Sequence, residues 1–493
     1  MVLRFHLVSY RAGRACTTLM NSKTHTPKTE NRKPKTVFPI SLGCPKNLVD
    51  TEIMLGQLRH EGWDVVAGPE AASLLLVNTC AFIADASQEA VDTILELARF
   101  KEGNPEKRLV VAGCLVQRYG EELAPQFPEV DWFIGVNDFP RLPRILEDAA
   151  AQETRLFHAS PPFDYALPQP RYPATPRASA YLKIAEGCSH RCTFCIIPAI
   201  RGPYRSRPLK TLLTEAANLA ASGVKELNLV AQDTTAYGRD FQGGPGLPEL
   251  LRELCAIPGL AWIRLLYGHP ARITPELLKT MAGHPQICPY LDLPIQHGHD
   301  EMLRRMGRGY TRKDIIDTCR RVREFLPPAA LRTTVMVGFP GETAEHFAAL
   351  LELVQEVRFE HLGVFLFSPE EGTPAAGFSP QVPRRLARAR VLKTLQARSV
   401  KERLKSLKGS VQPVLVEGLS PESEYLLSGR LITQAPEIDG QVYITAGEAR
   451  IGEIQPVLIK RVLPYDLVGE IVGGGRVPNL TTKTQRSPRI TKK

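Results

Sequence analysis

Apolar residues recur along this chain in two alternating rhythms. Short runs dense in Val, Ile and Leu, as expected of strands covered on both faces, give way to longer stretches. In these, apolar side chains return every three or four residues, as on one face of a helix. Across 36–151 the strand-like runs are 36–41, 73–78, 108–112 and 131–136, and the helical runs are 47–59, 85–100 and 117–123. This alternation predicts an open α/β layer, Rossmann-like in plan. A second series starts at Ala180, with strand runs at 181–185, 226–230, 262–267, 290–293, 333–337 and 361–367. Helical patterns at 212–221, 275–282, 313–325 and 344–357 separate them. Six βα units in series predict a partial, TIM-like (βα)6 barrel whose ligand face lies at the carboxyl ends of its strands. After Gly409 the rhythm becomes simple alternation at 411–416, 425–433, 441–445 and 454–462, which predicts a small antiparallel β-barrel of the OB type.

These rhythms divide the chain into a basic tail (1–35), an N-terminal domain (36–151) and a Pro-rich linker (152–176). The barrel (177–408), the β domain (409–475) and a second basic tail (476–493) follow. Charge sharpens the division. The 493 residues carry a formal net charge of +10, but residues 1–36 hold eight Lys/Arg against one acid and 476–493 hold six against none. The body between them is mildly acidic and does not read as a nucleic-acid binder. The first 35 residues, cationic and without a periodic apolar face, read as a disordered tail or as sequence ahead of a true start at Met20. An RNA-contacting arm and an organelle-targeting segment are other readings. Residues 384–408 hold ten Lys/Arg and one acid, which fits a solvated helix face or an RNA contact. No run approaches the ~20 apolar residues of a membrane helix.

The chemistry concentrates in cysteines. Cys188, Cys192 and Cys195 stand at C-x3-C-x2-C spacing just after a strand run. Thiolates so close together can wrap one iron–sulfur cluster, and three ligands on four irons leave one iron open for chemistry. A zinc knuckle needs a fourth ligand, and His190 lies awkwardly between two of the cysteines. Disulfides call for an oxidising compartment, and no secretory signal points to one. Cys44, Cys80 and Cys114 each follow a strand run and precede a helix. Such loops converge on one edge of an open α/β sheet, so these three predict a second cluster, again without a fourth ligand. Three buried core thiols are the plainer alternative. Cys16, Cys255, Cys288 and Cys319 fall in the tail or on helical and loop stretches and form no pattern. Cluster chemistry needs reduced thiols, which predicts a reducing cytoplasm.

The pattern C-x3-C-x-aromatic-C at Cys188, Cys192, Phe194 and Cys195 resembles the radical S-adenosylmethionine (SAM) superfamily. With the three-cysteine first domain and the β domain, residues 36–474 resemble its methylthiotransferase family, in which the last module is a TRAM domain. The run Ser-Leu-Gly-Cys-Pro-Lys-Asn-Leu-Val-Asp at 41–50 is similar to the branch that modifies an aspartate of small-subunit ribosomal protein 12. The branch acting on adenosine beside the tRNA anticodon typically has Gly-Cys-Gln-Met-Asn there. Residues 192–198, 291–297, 367–373 and 434–440 also match the ribosomal-protein branch.

The resemblance implies two 4Fe–4S clusters. One, on Cys188, Cys192 and Cys195, binds and reductively cleaves SAM; the other, on Cys44, Cys80 and Cys114, handles sulfur. It implies insertion of a methylthio group at the aspartate β-carbon, with a second SAM as methyl donor. An external electron donor and a sulfur donor are implied partners, and no catalytic residue beyond the cluster ligands is called for. Phe194 would lie against the adenine, Gln232 and Asp233 near the SAM amino group, and Gly338 and Gly341 against the adenosine. Gln296 and His297 end another strand. Each has a plainer reading as core packing or turn chemistry. The β domain, with five Lys/Arg against nine acids in 408–475, suits a basic ribosomal protein better than RNA. A tRNA methylthiotransferase is the alternative function, and a two-cluster electron carrier the alternative class.

Overall fold

In the computed structural model, which describes residues 3–6, 35–148, 155–165, 168–174, 178–383, 385–420 and 422–473, the first rhythm becomes a seven-stranded sheet. Strand β1 (Leu3–His6) pairs antiparallel with β2 (Thr36–Gly43). Parallel pairing then brings in β3 (Asp64–Val65), β4 (Leu74–Thr79), β5 (Arg108–Gly113), β6 (Trp132–Ile134) and β7 (Leu156–Phe157). Helices α1 (Pro45–His60), α2 (Ala84–Ala98), α3 (Cys114–Gln126) and α4 (Leu142–Asp148) connect them. Two expectations change. Leu3–His6, inside the stretch read as a structureless tail, alternates apolar and polar residues and adds an edge strand; the rest of 1–34 lies outside the described residues, as does 474–493. The sheet also runs on into the stretch read as a linker, because Leu156–Phe157 supplies a further apolar pair beside β6.

The second rhythm gives six parallel strands in the order β8 (Ser179–Lys183), β11 (Glu226–Val230), β12 (Trp262–Leu265), β13 (Ile287–Asp292), β14 (Ala330–Val337) and β15 (His361–Leu366). The short pair β9 (Ala185–Glu186) and β10 (Arg205–Ser206) lies beside β8 in sequence and flanks α5 (Ile197–Arg201). The crossover helices are α6 (Leu209–Ala221), α7 (Leu247–Cys255), α8 (Pro275–Gly283), α9 (Asp300–Arg305), α10 (Arg312–Phe325) and α11 (Ala344–Val357). Both α10 and α11 open with reciprocal caps, Thr311 with Asp314 and Thr343 with His346, which satisfy first-turn N–H groups. A last helix, α12 (Arg385–Ser406), leads to the β domain. Cys288 lies buried within β13 rather than on a loop or helix, because its strand begins earlier than the apolar run indicated.

The sheet's outer face packs on its own helices in one apolar cluster. Its inner face packs on α1 of the N-terminal domain and on Ala435 of the β domain. Helix α1 is therefore buried almost all round: one side covers its own sheet, the other fills the open barrel. Within the Pro-rich stretch, residues 168–174 strap α1 to α6. Arg171, buried, pairs with Glu52 of α1 and with Glu215 of α6 at 2.6 Å, and the Ala174 N–H donates to Glu52 at 2.7 Å.

The β domain closes as β16 (Val411–Ser420), β17 (Ser423–Leu431), β18 (Val442–Ile444), β20 (Leu467–Ile471) and β19 (Ile454–Val462). Strand β20, unmarked in the sequence because it is short and broken by Gly469, pairs parallel with β18 and seals a barrel that is otherwise antiparallel. Part of the acidity of this domain is engaged internally. Glu417 pairs with Arg430 at 2.7 Å, and Asp439 meets Tyr290 at 2.7 Å and His361 at 3.2 Å. Asp439, held by barrel residues, adds nothing to the acidity this domain presents to a partner. Among the described residues no helix is long and apolar enough to cross a membrane.

Candidate functional site

Three strand ends bring the first cysteines together. Cys44 adopts an extended backbone before α1, whose first residue, Pro45, is pre-shaped for a helix start. Cys80 follows β4, and Cys114 begins α3 directly after β5. The loops lie so close that a Cβ on Gly43 would stand 2.5 Å from Cys80 Cβ and 2.9 Å from its Sγ; with φ at +94° the position is doubly suited to glycine. Asn47 ties the loops. Its amide donates to the Leu42 carbonyl at 3.1 Å and the Thr79 carbonyl at 2.8 Å, while its Oδ1 accepts from Cys114 Sγ at 3.7 Å. Thr79 Oγ1 in turn donates to the Ala112 carbonyl at 2.6 Å. Burial pushes the Cys80 thiol up to about 12 and raises Cys114, with the neighbouring thiols adding to the first. Cys44 differs. Burial opposes its ionisation, but the Lys46 ammonium, the Arg201 guanidinium and the backbone N–H groups of Asn47 and Lys46 hold it below the ordinary value.

The second set is local. Cys188, Cys192 and Cys195 lie on the loop after β9, pinned at one end by the Cys188 N–H on the Gly202 carbonyl at 3.0 Å. The middle is held by Thr193, whose N–H and Oγ1 donate to the Met306 and Arg305 carbonyls at 3.1 and 2.8 Å. Arg308 Nη1 donates to Cys192 Sγ at 3.1 Å, and its Nε donates to the Tyr310 hydroxyl at 2.8 Å. Burial, and then the companion thiols, push Cys195 up to about 12. All cysteines among the described residues are free, and there no three His, Cys, Asp or Glu side chains close on a single ion. The donor chemistry, two sets of three thiols with a cation at each, fits a multi-iron cluster better than a zinc knuckle.

Beside the first set, where α1 meets the strands that lead into the second loop, lies a buried quartet of charges. Lys183 Nζ pairs with Asp50 and with Glu186 at 2.8 Å; Arg201 reaches Glu186 at 2.9 Å, Asp50 at 3.3 Å and the Asn47 side chain. Two cations face two anions away from water. Burial raises Asp50 despite Lys183 and Arg201. At Glu186 burial is outweighed by the Arg201 guanidinium and then the Lys183 ammonium, which hold its carboxyl below the ordinary range. Lys46 completes the picture, with its Nζ 3.5 Å from the centre of the Tyr267 ring. Tyr267 itself holds a left-handed backbone, φ +59°.

The candidate SAM contacts divide. Phe194 is buried among Met302, Met306, Phe339 and Phe367, a small apolar cluster under the second loop. Gln232 is half-buried, whereas its neighbour Asp233 is engaged, with Oδ2 2.7 Å from His190 Nε2, Oδ1 accepting from Thr235 Oγ1 at 2.5 Å, and Arg272 alongside. His190 stacks on His269 with centroids 4.4 Å apart. Of these, His190, Asp233 and Arg272 border a cavity of about 190 Å³. A Cβ on Gly338 would meet Arg385 Cβ at 2.5 Å, and one on Gly341 would meet Arg305 Nη2 at 3.0 Å, so side chains from α12 and α9 make the close approach. Gln296 has a left-handed φ of +68°, and His297 lies 3.6 Å from Glu342 with both buried. Asn47, Asp50, Lys183, Glu186 and Arg201 were not singled out by sequence. The available signal was a lysine inside the apolar run Ala-Tyr-Leu-Lys-Ile-Ala at 180–185.

Comparison with known proteins bears on this geometry. Residues 182–354 match the model of the radical SAM superfamily, 36–135 that of the "Uncharacterized protein family UPF0004", and 409–472 that of the TRAM domain. The chain is 50% identical over 447 residues to the ribosomal protein uS12 methylthiotransferase RimO of Geobacter sulfurreducens, covering 90% of this chain and 99% of the relative. It is 48% identical over 436 residues to the protein of that name from Geotalea uraniireducens, covering 88% and 97%. Among solved structures it resembles the radical SAM methyltransferase TsrM from Kitasatospora setae, determined with cobalamin and a 4Fe–4S cluster bound. The TM-score there is 0.52 at 17% identity, over 70% of this chain and 77% of that one. It also resembles the cobalamin-dependent SAM radical enzyme OxsB with SAM bound, TM-score 0.51 at 13% identity over 75% and 56%. At those identities the likeness is one of fold.

Proposed function

The chain belongs to the radical SAM methylthiotransferase family typified by ribosomal protein uS12 methylthiotransferase RimO, and from that premise we propose that it inserts a methylthio group at the β-carbon of an aspartate in uS12. It is an enzyme that works with SAM and 4Fe–4S clusters. The observation that carries the substrate reading is identity at the 50% level over nearly the whole length of uS12-modifying relatives, including the three-cysteine domain. The tRNA alternative has no such support among these relatives.

In this reading Cys188, Cys192 and Cys195 hold the SAM-binding cluster, and Cys44, Cys80 and Cys114 the sulfur-handling one. When bound, the two clusters and SAM supply the radical and the sulfur. The chain's own residues orient and shield. Asn47 and Thr79 tie together the three strand ends that carry Cys44, Cys80 and Cys114. Arg308 directs a charged N–H at Cys192 Sγ. Arg201 and Lys183, bound to Asp50 and Glu186, fix the second loop against α1 and thus one cysteine set against the other. Lys46, beside Cys44, biases that pocket toward anions such as sulfide or a thiolate. An external electron donor, a sulfur donor and a reducing cytoplasm belong to the same proposal.

The test is anaerobic reconstitution of the full chain with iron and sulfide, followed by SAM, dithionite and both uS12 and tRNA as candidate substrates. Mass spectrometry should find one hydrogen of a uS12 aspartate replaced by a methylthio group, with 5′-deoxyadenosine released. A product confined to tRNA, or no 5′-deoxyadenosine, would overturn the reading.

A further inference from the structure

Helix α12 lies along the edge strand of the barrel with one face firmly docked. Ala389, Leu392, Gln396, Val400 and Leu404 are buried at helical spacing. Gln396 Nε2 donates to the Phe359 and Glu360 carbonyls at 3.1 and 3.2 Å. The docked face fixes which side points outward. There Arg390, Arg398, Lys401 and Lys405 are exposed. At 3.6 residues per turn the four fall within about 80° of one another, along about 22 Å of helix axis.

Exposed basic helices usually carry acids one turn away from their cations. This one does not. Among the described residues its ion pairs are Arg388 with Glu342 and Arg403 with Glu360, both toward the barrel. The helix has a single acid, Glu402. The adjoining surface is positive as well, because Glu360 is shared by Arg403 and by Arg323 of α10. Burial, and then the Arg323 charge, push Arg403 down to about 10.

A membrane-surface helix needs a broad apolar face left for lipid, and here that face is used against the protein. A rigid row of unpaired cations with no aromatic platform suits regularly spaced phosphates instead. We propose that the outward face of α12 is a docking surface for the phosphate backbone of double-stranded RNA, binding by charge and shape without reading sequence. The surface lies apart from both cysteine sets and does not depend on which substrate they serve.

The experiment compares the reconstituted full chain with the variant R390Q/R398Q/K401Q/K405Q. A short RNA duplex of arbitrary sequence is titrated between about 50 and 200 mM salt. The wild type should lose roughly a hundredfold in affinity across that range, as expected for about four phosphate contacts. The variant should bind roughly a hundredfold more weakly at the low end, with a log–log salt slope shallower by about three to four. Its thermal melting and its activity on free uS12 should match the wild type. The proposal is overturned if the wild type does not bind the duplex, or if the variant keeps the same affinity and slope. It also falls if anionic phospholipid vesicles, and not RNA, show the charge-dependent binding, or if the variant melts earlier.

Discussion

The two cysteine sets of this protein are built in opposite ways. Cys188, Cys192 and Cys195 come from one loop, and their spacing is a property of the local chain. Cys44, Cys80 and Cys114 come from three strand ends, and their spacing is a property of a folded sheet. The local set needs only its loop and the carbonyls that pin it. The assembled set needs Gly43, Asn47 and Thr79 to hold three backbones together, and it leans on Arg201, which sits just beyond the other loop. Dependence therefore runs mainly one way: damage at the interface should reach the assembled set first.

The largest test of that asymmetry is Arg201→Met. The side chain is buried and compensates Asp50 and Glu186. Removing it leaves two carboxylates with Lys183 alone, a loss of about 3–5 kcal/mol for a broken buried network. The denaturation midpoint should fall accordingly. In the folded fraction, iron should be lost from the assembled set more than from the local one. Equal loss from both would show that the two sets depend on the interface alike.

A smaller and more selective test is Asn47→Ala. Asn47 donates two buried hydrogen bonds across the strand ends and accepts from Cys114. Leaving the Leu42 and Thr79 carbonyls unsatisfied costs about 1–3 kcal/mol. Reconstituted iron should drop toward half, while SAM-dependent release of 5′-deoxyadenosine, which the proposed function assigns to the local set, persists. Full iron content in this variant would break the comparison.

The same contrast governs what could be read from sequence. The C-x3-C-x2-C run was visible at once because its geometry is written in consecutive residues. The assembled set was legible only through the rhythm of strand and helix, which places Cys44, Cys80 and Cys114 at equivalent strand ends. What escaped were the contacts between domains. Lys183 reads as an interruption of an apolar strand until the fold brings Asp50 to it across 133 residues. Arg171 reads as part of a Pro-rich linker until it is found between Glu52 and Glu215. The acidity of the β domain was overcounted for the same reason, since a composition cannot tell an exposed carboxylate from Asp439 against His361. Strand β20 was missed because five residues around a glycine carry too little pattern, although closure of the barrel requires them.

The finest test lies inside the local set. Arg308 Nη1 is 3.1 Å from Cys192 Sγ, its Nη2 donates to the Pro294 carbonyl at 3.1 Å, and its Nε is held by Tyr310. Arg308→Gln removes a positive charge, the N–H···S contact and the bonds to the Pro294 carbonyl and the Tyr310 hydroxyl. It removes none of the bonds from Cys188 and Thr193 that pin the cysteine loop, so that loop should keep its shape and the chain its full iron content. Hydrogen bonds to ligand sulfur withdraw electron density and raise a cluster's reduction potential. Without Arg308 the SAM-binding cluster should therefore become harder to reduce, seen as a lower midpoint in an EPR-monitored redox titration. The assembled set should titrate unchanged, because its own cation, Arg201, is untouched. A shift in both would mean that the buried quartet transmits charge between the sets rather than only holding them apart.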